Sequence, residues 1–64
     1  MDKNISYEEF IDLVKKETMR CYKDIEEDRI EWAIKELYGL KSAYEGFKRT
    51  GDVHGAVWCI YMTV

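Results

Sequence analysis

Side chains that could act as nucleophiles are present, but they lack a well-placed base. Cys21, Cys59, Ser6 and Ser42 are the candidates, and His54 is the only imidazole in the chain. Nucleophilic catalysis needs a base within hydrogen-bond reach of the nucleophile and a third group that orients the base. Cys59 follows His54 by five residues, a spacing that puts the two side chains on different faces of a helix. We therefore predict that the chain is not an enzyme.

Acidic residues concentrate in one stretch that contains Asp24, Glu26, Glu27, Asp28 and Glu31. Paired acid–base carboxylates need a concave apolar site that perturbs their pKa values, and a chain this short could build one only with a partner subunit. We interpret the stretch as a solvated helix start or, alternatively, as a docking patch for a basic partner. One histidine and no Cys-x-x-Cys pair give no metal-ligand pattern, so we predict neither a metal nor a cofactor.

Basic residues form one ordered group, Lys15, Lys16, Arg20 and Lys23, on the predicted outside of the first helix. Such a group could bind an anion or an acidic partner. The alternative is an ordinary solvated face, in which Asp12 pairs with Lys16 four residues on. The net charge of −3 argues against a general nucleic-acid binder, which normally has an excess of basic residues.

The chain length limits what the protein can be. A single domain over residues 1–64 is marginally stable, and domains of this size usually need disulfides, a metal or association. The polar start Met1–Asn4 and only two cysteines predict a cytoplasmic protein with reduced, buried thiols. The longest apolar run, Ala56 to Val64, is shorter than the roughly 20 residues of a membrane span. Association is the remaining way to add stability.

The first helix has clear start signals. Ser6 is a good N-cap, and Glu9 stands three residues later, where a capping box requires it. Phe10 and Val14 begin an apolar face at helical spacing. The pattern predicts a helix over about residues 7–23. A turn is predicted to follow, and Asp28 is predicted to cap the next helix. The alternative is a continuous helix through Arg29, because the stretch contains no strong helix breaker.

The second helix is predicted over residues 29–49 from a heptad pattern. Gly51 offers a left-handed stop after it. The spacing of the pattern is that of a packing face, and its members are Ile30, Ala33, Leu37, Leu40, Tyr44 and Phe47.

A second face of this predicted helix carries Trp32, Gly39, Ala43 and Gly46. Small residues let another backbone approach closely, so Gly39, Ala43 and Gly46 are predicted to form a close-packing groove. The groove could receive the third segment of the same chain or a partner helix. A kink at Gly39 that splits the helix in two is the remaining alternative.

The last segment is ambiguous between helix and strand. Val57 to Val64 is rich in β-branched and aromatic residues, which favours a strand. One strand without a partner elsewhere in the chain would have to pair with another molecule, so we predict a helix over residues 53–63. The predicted fold is all-α, a helical hairpin or a three-helix bundle that is completed by oligomerisation.

These features predict a small protein–protein interaction or assembly module that forms a homodimer or higher homo-oligomer. One alternative is a small regulator or inhibitor, of the phage or mobile-element type, that docks on a larger protein. Two further hypotheses are nucleic-acid binding through the basic group and small-ligand binding in an aromatic pocket between subunits. Aromatic residues are enriched at interface cores, and the predicted interface residues are Trp32, Leu37, Leu40, Tyr44, Phe47, Trp58 and Tyr61.

Overall fold

Four helices make up the fold in the computed structural model, which describes residues 4–37 and 39–64. They are α1 (Tyr7–Cys21), α2 (Glu27–Glu36), α3 (Lys41–Thr50) and α4 (His54–Thr63). Within these residues there is no strand. The prediction of an all-α fold is confirmed, and the prediction of two or three helices is wrong.

Helix α1 begins as its sequence predicts. The Glu9 backbone N–H donates to Ser6 Oγ at 3.1 Å, and the Ser6 N–H donates to Glu9 Oε1 at 3.2 Å. This reciprocal capping box satisfies two backbone donors that the first turn would otherwise leave without partners. The helix ends at Cys21, two residues before the predicted end.

Helix α2 begins earlier than predicted. Its first residue is Glu27, and its N-cap is Glu26, which makes no capping hydrogen bond through its side chain. The prediction that Asp28 caps this helix is therefore wrong, because Asp28 already lies in the first turn. Acidic side chains there interact favourably with the positive end of the helix dipole.

The predicted helix 29–49 is broken in two near Gly39, which confirms the alternative of a kink at this residue. The Gly39 backbone has φ 73°, a left-handed conformation that glycine adopts without steric cost. Its N–H donates to the carbonyl of Ile34 at 3.0 Å, which closes the end of α2. The hydroxyl of Tyr7 accepts a 2.8 Å hydrogen bond from the N–H of Leu40, just before α3. A β-carbon at Gly39 would collide with that hydroxyl, so a tertiary contact from α1 fixes the break.

The heptad residues all pack inward despite this break. The rings of Phe10 and Phe47 lie 5.2 Å apart at their centroids, and those of Phe10 and Tyr44 lie 5.3 Å apart. Leu37 and Tyr44 are partly buried against the core. Helices α1 and α4 pack against each other, and α2 and α3 each pack against both. Every helix contributes to the buried core, which comprises Phe10, Val14, Ile30, Ala33, Leu40, Phe47, Val53, Ala56, Val57 and Ile60.

The predicted groove assumed one continuous helix, and that assumption is wrong. Gly39 lies in the break between α2 and α3, whereas Ala43 packs partly buried against the core. A β-carbon at Gly46 would have only Arg49 Nη2, 4.0 Å away, as a neighbour among the described atoms outside the helix backbone. The space beside Gly46 is therefore open, and no other backbone from the described part of this chain packs against it.

The last segment is a helix, as predicted. Gly51 ends α3 with φ 76°, and its N–H donates to the carbonyl of Phe47 at 2.7 Å. Asp52 then accepts the N–H of His54 at 2.9 Å, which satisfies a donor at the start of α4. Helix α4 therefore follows α3 after a three-residue connection, residues 51–53.

Candidate interaction surface

Helix α4 is apolar on both of its sides. Ala56, Val57 and Ile60 are buried in the core. On the opposite side, Trp58 is 56% exposed and Met62 is 65% exposed. Residues 53–64 include no Asp, Glu, Lys or Arg. A helix that is hydrophobic all round is normally buried, so this side of α4 is an exposed apolar surface. We call Gly55, Trp58, Cys59, Tyr61 and Met62 the outer face of α4.

Three aromatic rings form a stacked row along one edge of this face. Tyr22 stacks on Tyr61 with centroids 4.4 Å apart and an interplanar angle of 19°. Tyr61 in turn stacks with Trp58 at 5.6 Å and 29°. Tyr22 follows α1, so the row joins the two helices. Stacking restricts the rotamers of Trp58 and Tyr61, and a partner that binds the row has less side-chain freedom to remove.

The predicted interface residues separate into two groups in the structure. Trp32, Trp58 and Tyr61 are exposed, whereas Leu40 and Phe47 belong to the buried core, with 5% and 0% of their surface accessible. Leu37 and Tyr44 are partly buried against the core.

The exposed Trp32 differs from Trp58 in its surroundings. The guanidinium carbon of Arg29 lies 5.2 Å from the centroid of the Trp32 ring. This cation–π contact gives the ring a partner within its own helix. Trp58 stacks against Tyr61, which lies at the edge of the outer face, and is more exposed than Trp32.

Met62 of the outer face and Tyr22 of the stacked aromatic row are not among the predicted interface residues. Met62 was detectable from the sequence, because α4 lacks any charged residue that could mark a solvated side. Tyr22 was not, because its stacking on Tyr61 depends on how α1 and α4 pack.

The basic group on α1 is largely neutralised by neighbouring carboxylates. Lys15 Nζ lies 3.0 Å from Glu31 Oε1, and Lys16 Nζ lies 3.0 Å from Asp12 Oδ2. The hydrogen bond from Lys15 to Glu31 raises the pKa of Lys15 above its ordinary value.

Arg20 is paired in the same way. Its Nη2 lies 2.8 Å from Glu17 Oε2. This hydrogen bond lowers the pKa of the Glu17 carboxyl and raises the pKa of Arg20. Lys23 is exposed. Because three of the four predicted anion-binding residues already have acidic partners, the group has the arrangement of a solvated, ion-paired helix face.

Both cysteines are free and exposed, so the prediction of buried thiols is wrong. Cys59 belongs to the outer face of α4, and Cys21 is the last residue of α1. His54 Nδ1 lies 2.9 Å from Asp52 Oδ1. The hydrogen bond from the backbone N–H of His54 lowers the pKa of the Asp52 carboxyl, and the hydrogen bond to the His54 ring lowers it further. This pair is part of the turn that starts α4.

Shallow depressions lined by described residues border α4. One, of about 310 Å³, lies at the break between α2 and α3 and is lined by Leu37, Gly39, Leu40, Lys41, Ser42, Ala43 and Cys59. Two residues of the predicted groove, Gly39 and Ala43, therefore face α4 across this depression. Another, of about 330 Å³, lies at the carboxyl end of α4 and is lined by Asp24, Ile25, Glu26, Arg29 and Val64.

Comparisons with protein-family models, with curated proteins and with solved structures found no match. Within residues 4–37 and 39–64, no three His, Cys, Asp or Glu side chains are grouped so that they could hold a metal ion. None of the helices in the described part of the chain has the length and apolar character needed to cross a membrane.

Proposed function

We propose that this protein is a small, non-enzymatic interaction module that assembles into a homo-oligomer through the outer face of α4. The observation that carries the proposal is the exposure of Trp58, Tyr61 and Met62 on a helix whose other side is already buried. Removing apolar surface from water contributes about 25 cal/mol per Å². Covering the outer face by another subunit would supply that free energy.

A second copy suits this face because the face carries no fixed charge. Each chain has a net charge of −3, so two copies repel each other at long range. The repulsion does not act within the contact itself, since residues 53–64 include no Asp, Glu, Lys or Arg. A partner recognised through charge would find no complementary group on this face.

A contact of standard size would occupy a minor part of the molecule's surface. A standard interface buries about 800 Å² on each partner. The accessible surface of the chain is 4537 Å², so such an interface would cover less than a fifth of it. Contacts of this size depend on a few large side chains near their centre, and Trp58 has that position on the outer face.

Substituting Trp58 by glutamate tests the proposal. Trp58→Glu places a charge on the face and is expected to weaken self-association by at least about 30-fold, the effect of losing a residue that contributes about 2 kcal/mol. Light scattering coupled to size-exclusion chromatography over a range of concentrations measures the change. Far-UV circular dichroism verifies that the helices remain, as expected for a residue that is 56% exposed.

Trp32→Glu is the matched control, because Trp32 is also an exposed tryptophan, at 44%. It lies on α2, outside the outer face of α4, and its substitution should leave the association constant within about threefold of the wild type. Equal effects of the two substitutions, or no effect of Trp58→Glu, would contradict the proposal.

A further inference from the structure

The outer face of α4 alternates small and large side chains. At 100° per residue, Gly55, Trp58, Cys59 and Met62 lie along the line that points away from the buried residues. Gly55 and Cys59 are small, and Trp58 and Met62 are large. A β-carbon at Gly55 would meet no described atom within 4 Å, so the surface there is open. The line therefore has a gap at its amino end and a protruding side chain at its carboxyl end.

We infer that this face binds the α4 helix of a second copy in antiparallel orientation, about a two-fold axis that passes between Trp58 and Cys59. The inference rests on the proposed function, because it requires self-association through α4. In this register Gly55 lies opposite the partner's Met62, and Trp58 lies opposite the partner's Cys59. Each large side chain meets a small one, and the two-fold axis repeats both contacts.

A parallel pair of α4 helices would lack this complementarity. Each residue would then lie opposite its own copy, so Trp58 would meet the partner's Trp58 and Met62 would meet the partner's Met62. The two glycines would face each other across a gap. Packing at interface cores reaches the density of protein interiors, and only the antiparallel arrangement fills the gap beside Gly55.

The dipole of α4 favours the same orientation. The carboxyl end of the helix adjoins a depression that Asp24 and Glu26 line together with Arg29 and Val64. The amino end has the positive pole of the helix dipole. An antiparallel pair brings the positive pole of each helix toward the carboxylates beside the partner's carboxyl end, whereas a parallel pair brings Asp24 and Glu26 next to their own copies.

A double-mutant cycle at Gly55 and Met62 tests the orientation. Gly55→Met fills the gap and creates a clash with the partner's Met62, so it should weaken self-association by about tenfold or more. Met62→Ala leaves a cavity opposite the partner's Gly55 and should weaken it by about tenfold. The double variant restores a large residue opposite a small one and should return the dissociation constant to within about threefold of the wild type. Sedimentation equilibrium measures all four proteins.

Additive effects, about 100-fold in the double variant, would overturn the antiparallel inference, because residues that do not face each other do not rescue each other. The proposed function would survive that result, since the wild type would still associate. A monomeric wild type would overturn both. Neither residue is buried, so circular dichroism of the four proteins should show the same helical content.

Discussion

Helices α1 and α4 lie against each other in the core, yet their outer sides differ. The outside of α1 carries ion pairs, such as Lys16 with Asp12 and Arg20 with Glu17. The outside of α4 carries Trp58 and Met62. The charged side chains on the outside of α1 interact with water and with each other, so this surface is stable in contact with solvent. The outside of α4 is apolar surface left in contact with water, and for this reason we propose that α4 is the side of the molecule that binds a partner.

The largest expected effect concerns the inner sides of α1 and α4, which both contribute apolar side chains to the core. Phe10 is fully buried and contacts the rings of Tyr44 and Phe47. Phe10→Ala should lower the free energy of unfolding by about 3–5 kcal/mol, which is a large part of the total stability of so small a domain. Urea unfolding followed by circular dichroism measures the loss. Met19→Ala, on the same helix at a 41% exposed position, should change stability little, and equal losses would contradict the assignment of inner and outer sides.

A smaller effect tests the contact between Tyr7 of α1 and the break at Gly39. Gly39→Ala must place a β-carbon against the Tyr7 hydroxyl at a positive φ, and should destabilise the fold by about 1–2 kcal/mol. Gly46→Ala has open space inside α3 and should stabilise it by about 0.5–1 kcal/mol. Thermal unfolding of both variants shows whether each substitution raises or lowers the melting temperature. A continuous helix through residue 39 would make both substitutions stabilising.

The smallest expected effect comes from the outer ion pairs of α1. The hydrogen bond from Arg20 lowers the pKa of Glu17 in the folded state. A lowered pKa contributes stability that is present above the unfolded-state value of about 4.3 and is lost as the pH falls through the folded-state value. The melting temperature of the wild type should therefore fall slightly more on acidification than that of Glu17→Gln. Exposed pairs contribute little, so the difference should be small.

Glu36→Gln is the control for this titration. Glu36 is exposed and lies on α2, away from the Arg20–Glu17 pair. Glu36→Gln removes the same charge as Glu17→Gln but leaves the hydrogen bond between Arg20 and Glu17 in place. If Glu17→Gln and Glu36→Gln behave alike, the ion pair on α1 makes no contribution of its own.

The start of α1 was predictable because its causes are local. Ser6 and Glu9 are three residues apart, and the side chain of each accepts the backbone N–H of the other. The break between α2 and α3 was only one alternative from the sequence, because part of its cause lies far away along the chain. The hydroxyl that receives the Leu40 N–H belongs to Tyr7, 33 residues away, and the heptad pattern continues across the break because all its residues still face one core.

The candidate surface was predicted in part for a related reason. Periodicity identifies apolar faces, but it does not say which of them the chain itself covers. Phe47 is covered by Phe10, although the pattern could equally describe an interface. Trp58 and Tyr61 were identified by residue type, whereas the contribution of Tyr22 depends on its stacking with Tyr61, a contact between distant parts of the sequence.

Sedimentation equilibrium of the wild-type protein over a wide range of concentration tests the central claim most directly. If the outer face of α4 binds a second copy, the apparent mass should rise with concentration toward twice the 7.7 kDa of one chain. A mass that stays at 7.7 kDa at every concentration would contradict self-assembly through this face.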